Sequence, residues 1–337
     1  MTYQEALNFL NNLQSKGIRP GLGNIAQALA IFGFPQFQFP SVHLAGTNGK
    51  GSTASFITSV LIQAGYKVGL FISPHLHTVR ERIQVGRIPI PKEDFAAIAT
   101  EIIPRLPTTL TYFEFLTLMA FVYFASQRVD IAVIETGLGG RLDATNLIMP
   151  EVSVITNIGL EHEHWLGYTL KKITLEKAGI IKQSRPLVTG IKQKELLRII
   201  KNVCRFKNAP LYLFGRNFAG RRYRNELYYY GLTKNLKGLH LGLMGVHQFE
   251  NASLALATLE LLGQRGFRIE EKDIREGLSN TFWPGRFEIV KPYPFMIVLD
   301  GAHNPDGMQA LKDSLRLLNY KRLFSVSYTH LTLPTKA

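Results

Sequence analysis

Eight residues, Ala45-Gly46-Thr47-Asn48-Gly49-Lys50-Gly51-Ser52, constrain the fold of this chain more than any others. They follow the apolar run Val42-His43-Leu44-Ala45, which reads as a buried strand, and lead into Ser52 to Ala64, which reads as a helix. A strand, a glycine turn and a helix make one unit of a parallel α/β sheet. Three glycines without Cβ atoms let backbone N–H groups approach an anion, and the following helix N-terminus adds partial positive charge. Lys50 is placed to reach terminal phosphates. The general G-x-x-x-x-G-K-[ST] pattern fails here, because Leu44 stands where its first glycine belongs and Ser52 falls one place late. A glycine turn without a ligand is the alternative reading, and the lysine in a strand–loop–helix setting weighs against it.

The same alternation runs along the chain. Lys67 to Ile72, Asp130 to Glu135, Val152 to Thr156 and Phe295 to Leu299 read as strands. Phe113 to Ser126, Asn251 to Leu262 and Met308 to Leu318 read as helices, Glu176 to Ile181 as a helix end or turn, and Lys321 to Phe324 as the start of a strand. The fold class is therefore α/β. With 337 residues the chain has length for two domains, and 46% hydrophobic against 19% charged residues favours a globular protein. Trp283-Pro284-Gly285-Arg286 is the candidate domain boundary. Cys204 is the single cysteine, so no internal disulfide can form, and nothing around it has metal-ligand spacing. The longest apolar run, Phe115 to Ala125, falls short of the ~20 residues of a membrane helix. The first residues have neither a basic start nor an apolar core, so no signal peptide is expected. A cytoplasmic setting without membrane attachment follows as an expectation.

The net charge of +14 invites a nucleic-acid reading, but it is unevenly spread. Lys182 to Lys237 hold 14 Lys/Arg and two acids, a local balance of +12, with tyrosines among them in Arg221-Arg222-Tyr223-Arg224 and Tyr228-Tyr229-Tyr230. A solvated basic surface on a strand-rich segment is the favoured reading. A surface that draws in an anionic small substrate comes next, and nucleic acid last. Chemistry points elsewhere, to Glu135. This acid ends an apolar strand before a glycine-rich loop, where a carboxylate near phosphates can bind Mg²⁺ through hard oxygen. A cap or surface acid is the alternative. Ser73 and His162 also follow strand ends, so all three can face the Gly46–Ser52 loop from the edge where open α/β sheets bind ligands, although a lone histidine such as His162 reads by itself as a core or surface residue.

Gly-Thr-Asn-Gly-Lys-Gly-Ser resembles the phosphate loop of the Mur ligase superfamily, specifically its folylpolyglutamate synthase/dihydrofolate synthase branch. The resemblance continues in order through Ser73-Pro74-His75-Leu76, Arg80-Glu81-Arg82-Ile83, Leu110-Thr111-Tyr112-Phe113-Glu114 and Glu135 to Asn146. It extends through Glu176-Lys177-Ala178-Gly179-Ile180, His247-Gln248 with Asn251-Ala252, Pro284-Gly285-Arg286-Phe287 and Asp300-Gly301-Ala302-His303-Asn304-Pro305. The resemblance implies a Mur-ligase-like ATPase domain with a parallel-rich sheet over residues 1–284. It implies an incomplete Rossmann-like second domain over 285–324. The tail 325–337 does not resemble the strand and loop that relatives place there, and is expected to be foreign sequence.

The implied reaction is ATP-dependent ligation of L-glutamate to dihydropteroate, to tetrahydrofolate and its polyglutamates, or to both, through an acyl phosphate, in folate biosynthesis and one-carbon metabolism. Residues Gly46, Thr47, Asn48, Gly49, Lys50, Gly51 and Ser52 match the ATP loop. Asn251 resembles an adenine- or ribose-side contact, Arg286 a phosphate clamp and Asp300 a ribose acceptor, with His303 nearby. Ser73, Glu135 and His162 match positions that hold Mg²⁺, two ions being implied. Lys177 matches a lysine that is carbamylated in relatives. Lys50, His162 and Lys177 form the implied catalytic set. Thr111, Tyr112, Phe113, Glu114, Leu142, Asp143 and Ala144 match the segments facing the pterin-bearing substrate, and Arg82 is assigned to the same substrate. An aromatic pair beside polar groups suits a flat heterocycle with an amide edge. A monomer is expected, with small molecules rather than nucleic acid as partners. Two departures stand out: Glu161 precedes His162 where relatives usually carry Asp, and relatives continue beyond the end of this sequence. Another superfamily ligase acting on a muropeptide is the nearest alternative, and a basic nucleic-acid-binding protein the more distant one.

Overall fold

A computed structural model of the chain describes residues 1–15 and 17–327. Eight strands form the main sheet: β1 (Ser41–Ala45), β2 (Val68–Phe71), β3 (Ile83–Val85), β4 (Ile88–Pro89), β5 (Ile131–Glu135), β6 (Val152–Ile155), β7 (Leu187–Thr189) and β8 (Leu211–Leu213). Their order is β4-β3-β2-β5-β1-β6-β7-β8. The strands from β2 to β8 in that order are parallel, and β3 and β4 are antiparallel additions at one edge. β1 and β5 are buried along their whole length, as strands covered on both faces of a parallel sheet are, Ser41 and His43 of β1 included. Pro89 sits in the edge strand, where its missing N–H leaves no gap inside the ladder.

Helices supply the covers. On one face lie α1 (Tyr3–Gln14), α2 (Gly23–Ile31), α4 (Lys92–Ile102) and α5 (Tyr112–Ser126); on the other, α3 (Lys50–Gln63), α9 (Gln248–Gly263) and α10 (Glu271–Ser279). Helices α6 (Glu163–Leu166), α7 (Leu170–Ala178) and α8 (Lys194–Phe206) connect β6 through β7 to β8. Sandwiched between the sheet and α1, α2 and α4, α5 is apolar all round rather than amphipathic. Thr111 and Glu114 close its N-terminus as a capping box.

A second sheet, β9 (Ala219–Tyr223), β10 (Glu226–Tyr230) and β11 (Asn235–Leu239), is antiparallel and packs on α9. It carries the aromatic-basic segment, and alternation splits that segment in two. Leu227 and Tyr229 enter the core, where Tyr229 donates to Glu260 at 2.7 Å, while Arg221, Arg222 and Arg224 face solvent. Elsewhere in the basic stretch Arg185 pairs with Glu151 and Lys192 with Glu250. The chain ends its described course in β12 (Glu288–Lys291), β13 (Ile297–Leu299) and α11 (Pro305–Leu315). Lys321 to Phe324 does not form the expected strand; it runs exposed, with no ladder to join among the described residues. The expectation for the tail lies outside the described residues from 328 onward. No helix among the described residues is long and apolar enough to cross a membrane.

Candidate active site

The glycine turn leaves the C-terminal end of β1, the central strand, and is enclosed by its neighbours. A Cβ on Gly46 (φ +150°) would fall 1.9 Å from Thr156 Oγ1, and one on Gly49 (φ +82°) 2.4 Å from Asn251 Oδ1. Only glycine combines those dihedrals with that closeness. The turn is pinned from β6: Asn48 N donates to Asn157 Oδ1 at 2.8 Å, Gly159 N to Thr47 Oγ1 at 2.9 Å, and Thr156 Oγ1 to Asn48 O at 2.6 Å. Lys50 Nζ donates to Gly46 O at 2.8 Å and Thr47 O at 3.2 Å.

A cavity of about 290 Å³ opens over this loop. It gathers the loop residues 47–52, Ser73, Glu135, His162, Asn251, Arg286, Asp300 and His303, so positions far apart in sequence meet in one place. Glu135 is 4% exposed and accepts from Ser73 N at 3.4 Å. Burial pushes its carboxyl upward, against the pull of Lys50, the Ser73 amide, Arg286 and Arg82. His162, in the left-handed region at φ +46°, has its proton affinity lowered by burial first and then by Lys50 and Lys177. An imidazole, a carboxyl group and a hydroxyl line one space. Among the described residues no three His, Cys, Asp or Glu side chains make a closed metal cage. The sparse set Ser73, Glu135 and His162 instead suits Mg²⁺, which keeps waters and phosphate oxygens in its shell.

Several expected ligand groups are also committed to partners within the protein. Asp300 accepts from Phe287 N and Ala302 N, both at 2.8 Å, and so organises the turn that carries Arg286. Asn251 Nδ2 donates to Gln248 Oε1 at 2.9 Å, and Gln248 reaches Ser52 Oγ at 3.3 Å. Lys177 is not among the residues that line this cavity. It lies behind the loop, 1% exposed, paired with Glu161 and donating to Gly46 O at 2.9 Å. Burial and the nearby Lys50 lower it to about 8, against the pull of Glu161.

A larger cavity of about 620 Å³ adjoins the first and shares Ser73, Pro74, Gly137 and His162 with it. Its lining includes Arg82, Thr111, Tyr112, Phe113, Glu114, Leu142, Asp143 and Ala144. Three of these use their polar atoms internally. Thr111 and Glu114 cap α5, and Asp143 accepts from Leu138 N at 2.7 Å and from Thr145. Arg82 donates from Nε to His75 Nδ1 at 2.8 Å, and its guanidinium lies 5.4 Å from the Tyr112 ring centre. Sequence reasoning assigned no role to His75, to Gly17-Ile18-Arg19-Pro20-Gly21, to Trp165 or to the Arg141–Glu176 pair, all of which line this cavity. His75 stood inside a recognised motif; the N-terminal turn gave no signal beyond its glycines. No residue of the basic stretch 182–237 lines either cavity.

The profile of the Mur ligase middle domain matches residues 44–259. Over 332 residues the chain is 38% identical to the Bacillus subtilis (strain 168) dihydrofolate synthase/folylpolyglutamate synthase, covering 93% of this chain and 76% of that protein. The apo form of L. casei FPGS superposes with a TM-score of 0.90 at 32% identity, over 95% of this chain and 82% of that one. E. coli FolC in complex with DHPP and ADP gives a TM-score of 0.87 at 35% identity, over 96% and 76%.

Proposed function

The chain belongs to the folylpolyglutamate synthase/dihydrofolate synthase family of Mur ligases, and from that premise we propose how its two cavities divide the work of an ATP-dependent glutamate ligase. The smaller takes ATP and the larger takes a pterin-bearing acceptor, dihydropteroate and folate both being accepted. One observation carries this reading: the cavities meet at Ser73, Pro74, Gly137 and His162. An acceptor carboxylate presented there lies next to the terminal phosphate of a nucleotide seated on the 46–52 loop.

The carboxylate oxygen attacks the γ-phosphorus, the bond to ADP breaks, and an acyl phosphate forms. The amine of L-glutamate then adds to the acyl carbon and phosphate leaves, with one proton lost from nitrogen. Loop N–H groups and Lys50 hold the phosphates, and Arg286 adds a planar cation suited to phosphate oxygens. Ser73, Glu135 and His162 would hold Mg²⁺, which would supply Lewis-acid charge neutralisation when bound. In the same reading the free amine of Lys177 adds carbon dioxide and loses one proton to become a carbamate. That change turns its attraction to Glu161 into repulsion, and the added negative charge would suit a second Mg²⁺ nearby. The domain division at 284/285 and action as a monomer on small molecules complete the proposal.

Phosphate release tests it, with ATP, L-glutamate and either dihydropteroate, tetrahydrofolate or a muropeptide offered in turn. Release is expected only with ATP, glutamate and a pterin acceptor together. Lys50→Ala should lower the rate by ~10²–10³ at unchanged thermal stability, the scale of losing one preorganised charge at developing negative charge. Release with the muropeptide instead would point to the other superfamily chemistry.

A further inference from the structure

His43 is fully buried at the middle of β1, three residues before Gly46, and no step of the proposed reaction uses it. Its Nε2 lies 2.8 Å from Thr145 Oγ1. The threonine hydroxyl donates its proton onward to Asp143 Oδ1, at 2.5 Å. A hydroxyl has one proton to give, so the contact with His43 must run the other way, with Nε2–H donating. Asp143 also accepts from Thr145 N at 3.1 Å and, on its other oxygen, from Leu138 N at 2.7 Å. One hydrogen-bonded line thus runs from the central strand to the loop that walls the larger cavity. The tautomer leaves Nδ1 without a partner among the described residues. An apolar side chain at this place would avoid that unmet nitrogen, so packing alone does not account for a histidine.

We propose that His43 is a positioning residue for the acceptor: through Thr145 it fixes Asp143, and Asp143 fixes the 137–144 wall. The inference rests on the reading that the larger cavity holds the pterin acceptor. It separates the two ligands. Leu138, Arg141, Leu142, Asp143 and Ala144 line only the larger cavity, while the 46–52 loop is pinned independently by Asn157, Gly159 and Thr156. Loss of the line should therefore weaken acceptor binding and spare nucleotide binding.

The test compares wild type with His43→Leu, Thr145→Val and His43→Gln in the full chain, titrating dihydropteroate and AMPPCP separately by intrinsic fluorescence. His43→Leu and Thr145→Val should each weaken dihydropteroate about five- to tenfold, the scale of one buried hydrogen bond, with AMPPCP affinity held within about twofold. His43→Gln keeps an N–H donor at similar reach and should bind dihydropteroate as wild type does. Thr145→Val carries the test if His43→Leu does not fold. Unchanged dihydropteroate affinity in the folded variants, or parallel loss of both ligands, overturns the proposal. Hydrogen exchange at the Leu138 amide reads the line without any ligand and should quicken in both variants. Wild type that binds AMPPCP but not dihydropteroate overturns the acceptor reading, and unchanged Leu138 exchange overturns the line itself.

Discussion

Cys204 and Lys177 are both buried, and burial moves their proton affinities in opposite directions because it disfavours whichever form is charged. The Cys204 thiol is pushed up from 9.0 to about 12. Its contribution to stability is complete below pH 9 and is lost as pH climbs from 9 toward 12. Since the thiolate is the nucleophile, folded protein at pH 8 should not react with a thiol-specific disulfide reagent. Unfolding in guanidinium should release the single cysteine to full reaction; prompt labelling of the folded chain would contradict its placement on the buried face of α8. Lys177 moves from 10.5 down to about 8, so at pH 8 a large share of it is the free amine that can add carbon dioxide. Folding favours that neutral form, and stability therefore rises with pH between about 8 and 10.5. With ¹³C-bicarbonate at pH 8, a carbamate carbon signal is expected from wild type and should vanish in Lys177→Met. A spectrum without it would remove the carbamate from the mechanism and leave the ammonium–Glu161 pair in its place.

At the scale of elements, α5 shows how one short sequence serves packing and site together. Thr111 and Glu114 line the cavity proposed for the acceptor, yet their side chains close the helix start. Thr111→Ala should cost ~1 kcal/mol in urea unfolding, the usual loss of an N-cap, and should weaken acceptor binding because the cap also lines the cavity. An acceptor effect without loss of stability would make Thr111 a direct ligand contact instead. The strands and α5 were legible in the sequence because apolar runs and their spacing report burial directly. The glycine loop was legible because its neighbours leave no room for Cβ atoms. Lys321 to Phe324 misled because a short mixed run carries β-propensity that forms a strand only when paired, and this run pairs with no strand among the described residues. The split roles of Asp143 and Asp300 were not legible at all. A carboxylate near a glycine turn reads as a ligand group, and only coordinates show that backbone N–H groups already claim it.

Across the whole molecule, the basic stretch lies outside both cavities, and the candidate site residues gather where β1, β5 and β6 end. The 285–315 segment completes the smaller cavity with Arg286, Asp300 and His303, although its two-stranded sheet leaves Ile297 and Leu299 exposed. Sparse burial makes for low local stability. A reciprocal amide clasp ties this segment to the loop: Asn48 Nδ2 donates to Asn304 Oδ1 at 3.1 Å and Asn304 Nδ2 to Asn48 Oδ1 at 2.9 Å. Asn304 also caps α11 by accepting from Gly307 N at 2.8 Å. A nucleotide touching both walls should stabilise the segment against local opening by ~2.7 kcal/mol at a hundredfold excess over Kd, close to a hundredfold slowing of amide exchange. Hydrogen exchange with and without AMPPCP should show that protection over residues 285–315 of the wild type. In Asn304→Ala the loop and the segment lose their direct tie, so the nucleotide should protect the loop as before and the segment markedly less. Equal protection of the segment in both proteins would mean that Arg286 and Asp300 couple it to the nucleotide without the clasp.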